Sequence, residues 1–122
     1  MIRNLLLIAL GGAVGSVLRY LVSSLNTSFP WGTFTVNILG SLLIGLLVGL
    51  VSKGMLSPEL KLLLVTGFCG GFTTFSTFAN ESFSMVKAGD ILLTALYVGA
   101  SVFIGVIAVW GGMILSNHVM RG

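Results

Sequence analysis

Charge is what this 122-residue chain has least of: six basic and three acidic side chains, 7% of the total, where a soluble domain carries roughly a quarter. A surface that poor in charge cannot face water, which excludes a soluble enzyme. Six scattered cations make no phosphate-binding patch, which excludes a nucleic-acid partner. A single cysteine, Cys69, permits no internal disulfide and suits a small buried position. The one histidine, His118, lies near the chain end. No segment groups a nucleophile, a base and an orienting residue, so the chain reads as a non-enzyme. Proline occurs only at Pro30 and Pro58, between apolar runs rather than inside them.

What the chain has in abundance is apolar surface: 56% of residues are hydrophobic and the mean hydropathy is +1.11. A membrane helix takes about 20 apolar residues, and the chain divides into four such spans, residues 5–25, 33–51, 60–86 and 91–115, within one all-α membrane domain covering 1–122. Asn26 to Gly32 reads as a turn, Lys53 to Pro58 as a second connection, Lys87 to Asp90 as a third, and Ser116 to Gly122 as a polar tail. Arg3 before a Leu-rich run with Ala13, Val14 and Gly15 has the outline of a secretory signal. Cleavage there would discard a helix that the other three need for cover, so the run is read as the first span.

With four spans, both termini and the second connection share a side, which holds Arg3, Lys53, Lys61 and Arg121; the other holds Lys87 and, near its helix end, Arg19. The positive-inside rule places the richer side, and with it both termini of this multi-pass chain, in the cytoplasm. Four against two is a small bias, and insertion in both orientations stays open.

Glycine, at 17 residues, sits mostly inside the spans. Gly11 with Gly15, Gly45 with Gly49 and Gly67 with Gly71 are each four apart, the spacing at which helix backbones approach closely in lipid. Polar residues in the spans are more informative, because each needs a partner or water in hydrocarbon. Thr33, Asn37 and Ser41 fall on one face of the second span, and Gly12, Ser16 and Arg19 on one face of the first.

The third span departs furthest from a plain helix. Gly70 and Gly71 followed by Thr73 and Thr74 favour an interruption, tolerated at membrane depth only where it is buried in protein or lines a cavity. Freed carbonyls at such a break can hold a cation. Five of the eight phenylalanines lie between Phe68 and Phe83, interleaved with hydroxyls, and Phe75 and Phe78 share a helix face. Ring edges carry positive charge. Presented beside Thr and Ser donors, such edges can replace the water around a small anion. Glu81 is the one carboxylate inside a span and reads equally as a helix-end residue at the water boundary.

The twelve-residue run Gly-Phe-Cys-Gly-Gly-Phe-Thr-Thr-Phe-Ser-Thr-Phe, from Gly67 to Phe78, resembles the signature of the Fluc family of fluoride channels, also called CrcB. Gly15 to Tyr20 and Pro30 to Gly40 agree with it, as do the chain's length and four-span plan. The resemblance implies an antiparallel, dual-topology dimer of four-helix subunits, each with a broken third helix, enclosing two fluoride pathways and one central structural sodium ion. Carried over by position, Phe75 and Phe78 line each pathway, and Asn37 donates to the ion. Ser101, Tyr97, Thr77 and Glu81 form a polar track, Arg19 sits near a vestibule, and the backbone carbonyls of Gly70 and Thr73 face the sodium. Where relatives often carry a further hydroxyl beyond Ser101, this chain has Gly105. The partner is a second copy or a paralogous chain of opposite orientation.

The residues agree in direction: a 12.8 kDa bundle has little room for a pore of its own, so a path at a subunit interface is expected. The implied task is passive export of fluoride, which relieves its toxicity in the cytoplasm. A small multidrug or guanidinium exporter is the rival at this length. It needs a carboxylate in the first span for proton exchange, where this chain has Arg19 and no acid.

Overall fold

The structure, a computed structural model, describes residues 1–121, and side chains through Val119. The side chain of Arg121, counted above in the charge bias, and Gly122 lie outside the described residues. Among those described the fold is wholly helical: α1 (Ile2–Val22) with a closing 3-10 turn (Ser23–Leu25), α2 (Trp31–Ser52), α3 (58–72), α4 (Ser76–Lys87) and α5 (Ile91–Arg121). Four stretches are long and apolar enough to cross a membrane: Ile2–Leu25, Trp31–Ser52, Pro58–Lys87 and Ile91–Val119, making this a multi-pass membrane protein.

Local chemistry sets the helix ends. Ser57 accepts from the Leu60 N–H at 3.2 Å and Pro58 follows it, so α3 starts with a side-chain cap and a residue preset to helical φ. Gly54 and Gly89, with φ of 74° and 88°, are the residues that close α2 and α4. In both turns the next N–H reaches back over the glycine, Met55 to the Leu50 carbonyl and Asp90 to that of Met85. This left-handed closure suits glycine because any side chain there meets its own carbonyl.

Several boundaries differ from the sequence reading: the second span starts at Trp31, inside the stretch read as a turn, and the third at Pro58. The first span begins at Ile2 rather than residue 5, since nothing between Met1 and Leu5 breaks a helix. The fourth does not end at 115 in a polar tail: α5 runs on to Arg121, and Ser116 is buried with its hydroxyl donated back to the Met113 carbonyl at 2.6 Å. No proline or glycine falls between 116 and 121, so the ladder has no cause to stop. In the third span Gly70 and Gly71 are helical, and the helix stops after them, at Thr73, whose φ and ψ of −88° and 161° are extended. Within α3, Leu62–Cys69 is wound as π-helix, a looser turn that periodicity did not announce.

Two glycine seams hold the bundle. Along α1 and α3, a Cβ on Gly11 or Gly15 would strike the backbone carbonyls of Leu63 or Phe68, and one on Gly71 would lie 2.5 Å from the Gly12 carbonyl. Along α2 and α5, a Cβ on Gly45 would strike Val109 backbone, one on Gly49 the Ser116 hydroxyl, and one on Gly112 the Leu42 carbonyl. All three spaced pairs are thus close-approach positions, as small residues in lipid should be. The Arg3–Glu59 ion pair at 2.8 Å and a hydrogen bond from Lys53 to Asn117 gather the start of α1, the α2–α3 connection and the end of α5 at one end of the bundle.

Candidate functional site

The residues that carry chemistry converge where α3 gives way to α4. Between Phe72 and Ser76 the backbone leaves the helix, and polar groups at the break and just before it are taken over by side chains from α2 and α1. The Asn37 amide grips the Thr74 peptide at both ends: Oδ1 accepts from the Thr74 N–H at 2.9 Å and Nδ2 donates to the Thr74 carbonyl at 3.1 Å. Thr74 in turn caps α4, its hydroxyl accepting from the Thr77 N–H at 3.3 Å. Arg19 donates through Nε to the Gly71 carbonyl at 2.9 Å, placing a cation on the C-terminal end of α3, where the helix dipole is negative. Thr73 turns its hydroxyl back to the Cys69 carbonyl at 2.9 Å, and its methyl lies against Gly40.

These bonds leave particular carbonyls without their helical donors. The Thr74 N–H, which in a continuing helix bonds the Gly70 carbonyl, goes to Asn37. The Thr77 N–H, which would reach the Thr73 carbonyl, goes to the Thr74 hydroxyl. Gly70 is exposed, with nothing within 4 Å of a Cβ built there.

An open concavity of about 330 Å³ lies beside the interruption, walled by Asn37, Ser41, Thr74, Phe75, Phe78 and Ser101 among others. It joins apolar ring surface to sparse donors. The Phe75 and Phe78 centroids are 6.1 Å apart, and Phe78 lies 5.0 Å from the ring of Tyr97. Phe75 is 78% exposed. The Ser101 hydroxyl is buried with no hydrogen-bond partner. Ser41 donates to the Asn37 carbonyl at 2.7 Å, and its oxygen would stand 3.6 Å from a Cβ on Gly105, so an α2 hydroxyl faces the position where α5 lacks one.

A second, smaller cleft of about 100 Å³ lies across the Thr74 peptide, lined by Arg19, Tyr20, Asn26, Thr33 and Thr77 among others. Beside it Glu81 is half-buried and held by three donors: the Thr33 hydroxyl at 2.9 Å, the Tyr97 hydroxyl at 3.0 Å and the Asn26 amide at 3.4 Å. Glu81 thus sits within α4 rather than at its end, bonded to side chains of other elements. Tyr97 is fully buried, its ring between Phe78 and Phe29, with a centroid 5.3 Å from the latter.

The structure thus gathers Asn37, Phe75, Phe78 and Ser101 around one space, and brings Arg19 and Thr77 to the other. Glu81 and Tyr97 are bonded to each other, and Gly70 and Thr73 flank the end of α3. Sequence reasoning missed Asn26, which it read as part of a turn, and gave Thr33 a face but no partner. An Asn a few residues before a Pro-Trp-Gly helix start is a capping signal that could have raised Asn26. Nothing local marks its second partner, 55 residues away.

Comparison with known proteins bears on the same stretches. The family model described as CrcB-like protein, Camphor Resistance (CrcB), matches residues 6–113. A protein of Flavobacterium psychrophilum named fluoride-specific ion channel FluC is 46% identical, over 96% of this chain and 99% of its own length. Proteins of the same name from Phocaeicola vulgatus and Agrobacterium fabrum are each 47% identical, over 94% and 95% of this chain and 99% and 98% of their own. With a matching model across most of its length and relatives this similar end to end, the chain belongs to the CrcB family.

Proposed function

We propose that this chain is the subunit of a fluoride-selective channel that lets the anion leave the cytoplasm passively across the cell's plasma or inner membrane. The observation that carries the reading is the open concavity at the α3–α4 interruption, where Phe75 and Phe78 stand beside the unpartnered Ser101 hydroxyl and the Asn37 amide. One N–H of Asn37 is bound to Thr74; its second is free to meet an ion. Fluoride is small and strongly hydrated, so a path for it must offer donors and positive ring edges in place of water. The names of the relatives supply the ion.

Tyr97 and Glu81 continue the donors and acceptors beyond Phe78, with Ser41 facing the gap at Gly105. Arg19 and Thr77 line the cleft on the other side of the Thr74 peptide. An inside-negative potential drives an anion outward with roughly 2.3 kcal/mol per charge per 100 mV, so no pump is required.

A second subunit completes the path. Phe75, Ser76, Thr77 and Asn80 are exposed along α4, an arrangement that hydrocarbon does not tolerate for polar groups and that another copy, packed antiparallel, would cover. A paralogous chain of opposite orientation would serve equally, and the charge bias does not decide between them. The Gly70 and Thr73 carbonyls, deprived of helical donors, are hard oxygen ligands of the kind sodium takes at broken helices. Bound there, the ion would neutralise carbonyl dipoles where two interruptions meet and so join the subunits.

The test is reconstitution of the chain alone in liposomes loaded with fluoride or chloride. Fluoride efflux driven by potential, with little chloride efflux and no coupled proton movement, is the expected result. Absence of fluoride efflux, or efflux that requires proton exchange, refutes the reading.

A further inference from the structure

Asn26 lies in the connection between α1 and α2, yet its side chain ties two long helices together. Its Oδ1 accepts from the Gly32 N–H at 2.7 Å and the Thr33 N–H at 3.2 Å, satisfying two donors of the first turn of α2. Its Nδ2 donates to Glu81 Oε2 at 3.4 Å and to the Thr33 hydroxyl at 3.5 Å. A cap needs only an acceptor, and Ser, Thr or Asp would provide one. The donor half of the amide is left unexplained by capping. An amide is the uncharged side-chain group that accepts at one end and donates twice at the other.

Glu81 needs that donor. It is a carboxylate within a membrane-crossing stretch, and each of its oxygens requires donors there. Oε1 takes the Tyr97 hydroxyl from α5, while Oε2 takes the Thr33 hydroxyl and the Asn26 amide from the α2 side. Apart from these bonds, α4 is held by the Phe78 ring on Tyr97 and by Met85, its buried residue. Because Oδ1 already occupies the Gly32 and Thr33 N–H groups, an anion in the small cleft also finds the α2 N-terminus closed to it. We infer that Asn26 is a positioning residue, the link through which the N-terminus of α2 sets the orientation of the Glu81 carboxylate and hence the state of the track that carries the ion. The inference rests on the channel reading given above.

The test compares Asn26→Asp with Asn26→Ala, each reconstituted beside the parent chain in fluoride-loaded liposomes from pH 5.5 to 7.5, with protein-free vesicles subtracted for acid leak. Asn26→Asp keeps the capping oxygen but sets a second carboxyl against Glu81. Two carboxyls at that distance share a proton, and the protonated one can donate as the amide did. The titratable groups facing the pair are Arg19 and Tyr20 from α1 and Tyr97 from α5; the first turns of α2 present none. They are common to all three chains, so each variant is read as a ratio to the parent at the same pH.

The expected result is fluoride efflux lowered about tenfold by Asn26→Asp at pH 7.5, recovering toward the parent at pH 5.5, while Asn26→Ala stays low throughout. An infrared band of a protonated carboxyl in Asn26→Asp, lost when Glu81→Gln is added, reports the same contact without any conduction. A silent parent overturns the channel reading and leaves the infrared band to decide the contact. A conducting parent matched by Asn26→Asp at every pH overturns the positioning role. So do two variants equally impaired, equally destabilised to heat and equally flat with pH, which is the signature of a cap alone.

Discussion

The Asn37 grip on the Thr74 peptide can be broken by a single substitution. Asn37→Ala removes the acceptor of the Thr74 N–H at 2.9 Å and the donor to its carbonyl at 3.1 Å. A buried backbone group left without a partner costs about 1–3 kcal/mol. Thr74 is half-buried and lines both the concavity and the small cleft, so water replaces part of each bond, and the low end of that range applies to each group. The sum is about 2 kcal/mol, equivalent to roughly a 30-fold change in an opening equilibrium. Hydrogen exchange at the Thr74 amide in detergent reads this directly: protection there should fall by about that factor, with the α2 and α5 amides near Gly45 and Val109 unchanged. Asn37→Asp should restore the N–H bond but set an anionic oxygen against the carbonyl, giving intermediate protection. Undiminished protection at Thr74 in Asn37→Ala would show that the interruption is held by other means and that the grip is incidental.

Other expected outcomes follow from the same geometry. Gly45→Val should destabilise the bundle by about 1–3 kcal/mol or prevent its assembly, because the added carbon meets Val109 backbone that cannot yield. Gly99→Ala, with open space around it, should stay within about 0.5 kcal/mol of the parent by chemical denaturation. Phe75→Ile should leave thermal stability of the subunit unchanged, since the ring is 78% exposed, while lowering fluoride flux from liposomes; equal flux would count against the aromatic path. Tyr97→Phe removes a donor from Glu81 in a fully buried position and should lower flux about tenfold, against about 1.4 kcal/mol for the lost bond.

What could be read from the residues was what depends on periodicity and composition. The four spans follow from hydrocarbon thickness, and the glycine pairs from the need for backbone contact in lipid, and Gly11, Gly45 and Gly67 indeed sit at carbonyls of neighbouring helices. Two adjacent glycines pointed to an interruption, but the extended residue is Thr73, because what diverts the chain is an amide 37 residues earlier in sequence taking the Thr74 N–H. Glu81 was open between boundary and track for the same reason: its environment is made by Thr33, Tyr97 and Asn26, from three separate elements. The π winding of Leu62–Cys69 left no trace in a stretch of uniformly apolar residues, where a change of pitch alters no pattern. The run of α5 past residue 115 is hidden from composition because polar residues alone do not stop a helix where no proline or glycine stands.

The two seams of glycine carry a consequence for motion. Backbone laid against backbone has no side chains to repack, so α1 with α3, and α2 with α5, form two stiff slabs. The segment after Thr73 belongs to neither slab: it is held by hydrogen bonds to Asn37, Thr33, Tyr97 and Asn26 and by the Phe78 ring on Tyr97. Whatever breathing the molecule does will therefore centre on α4, and its tempo will follow how wet that segment is more than how tightly the rest is packed.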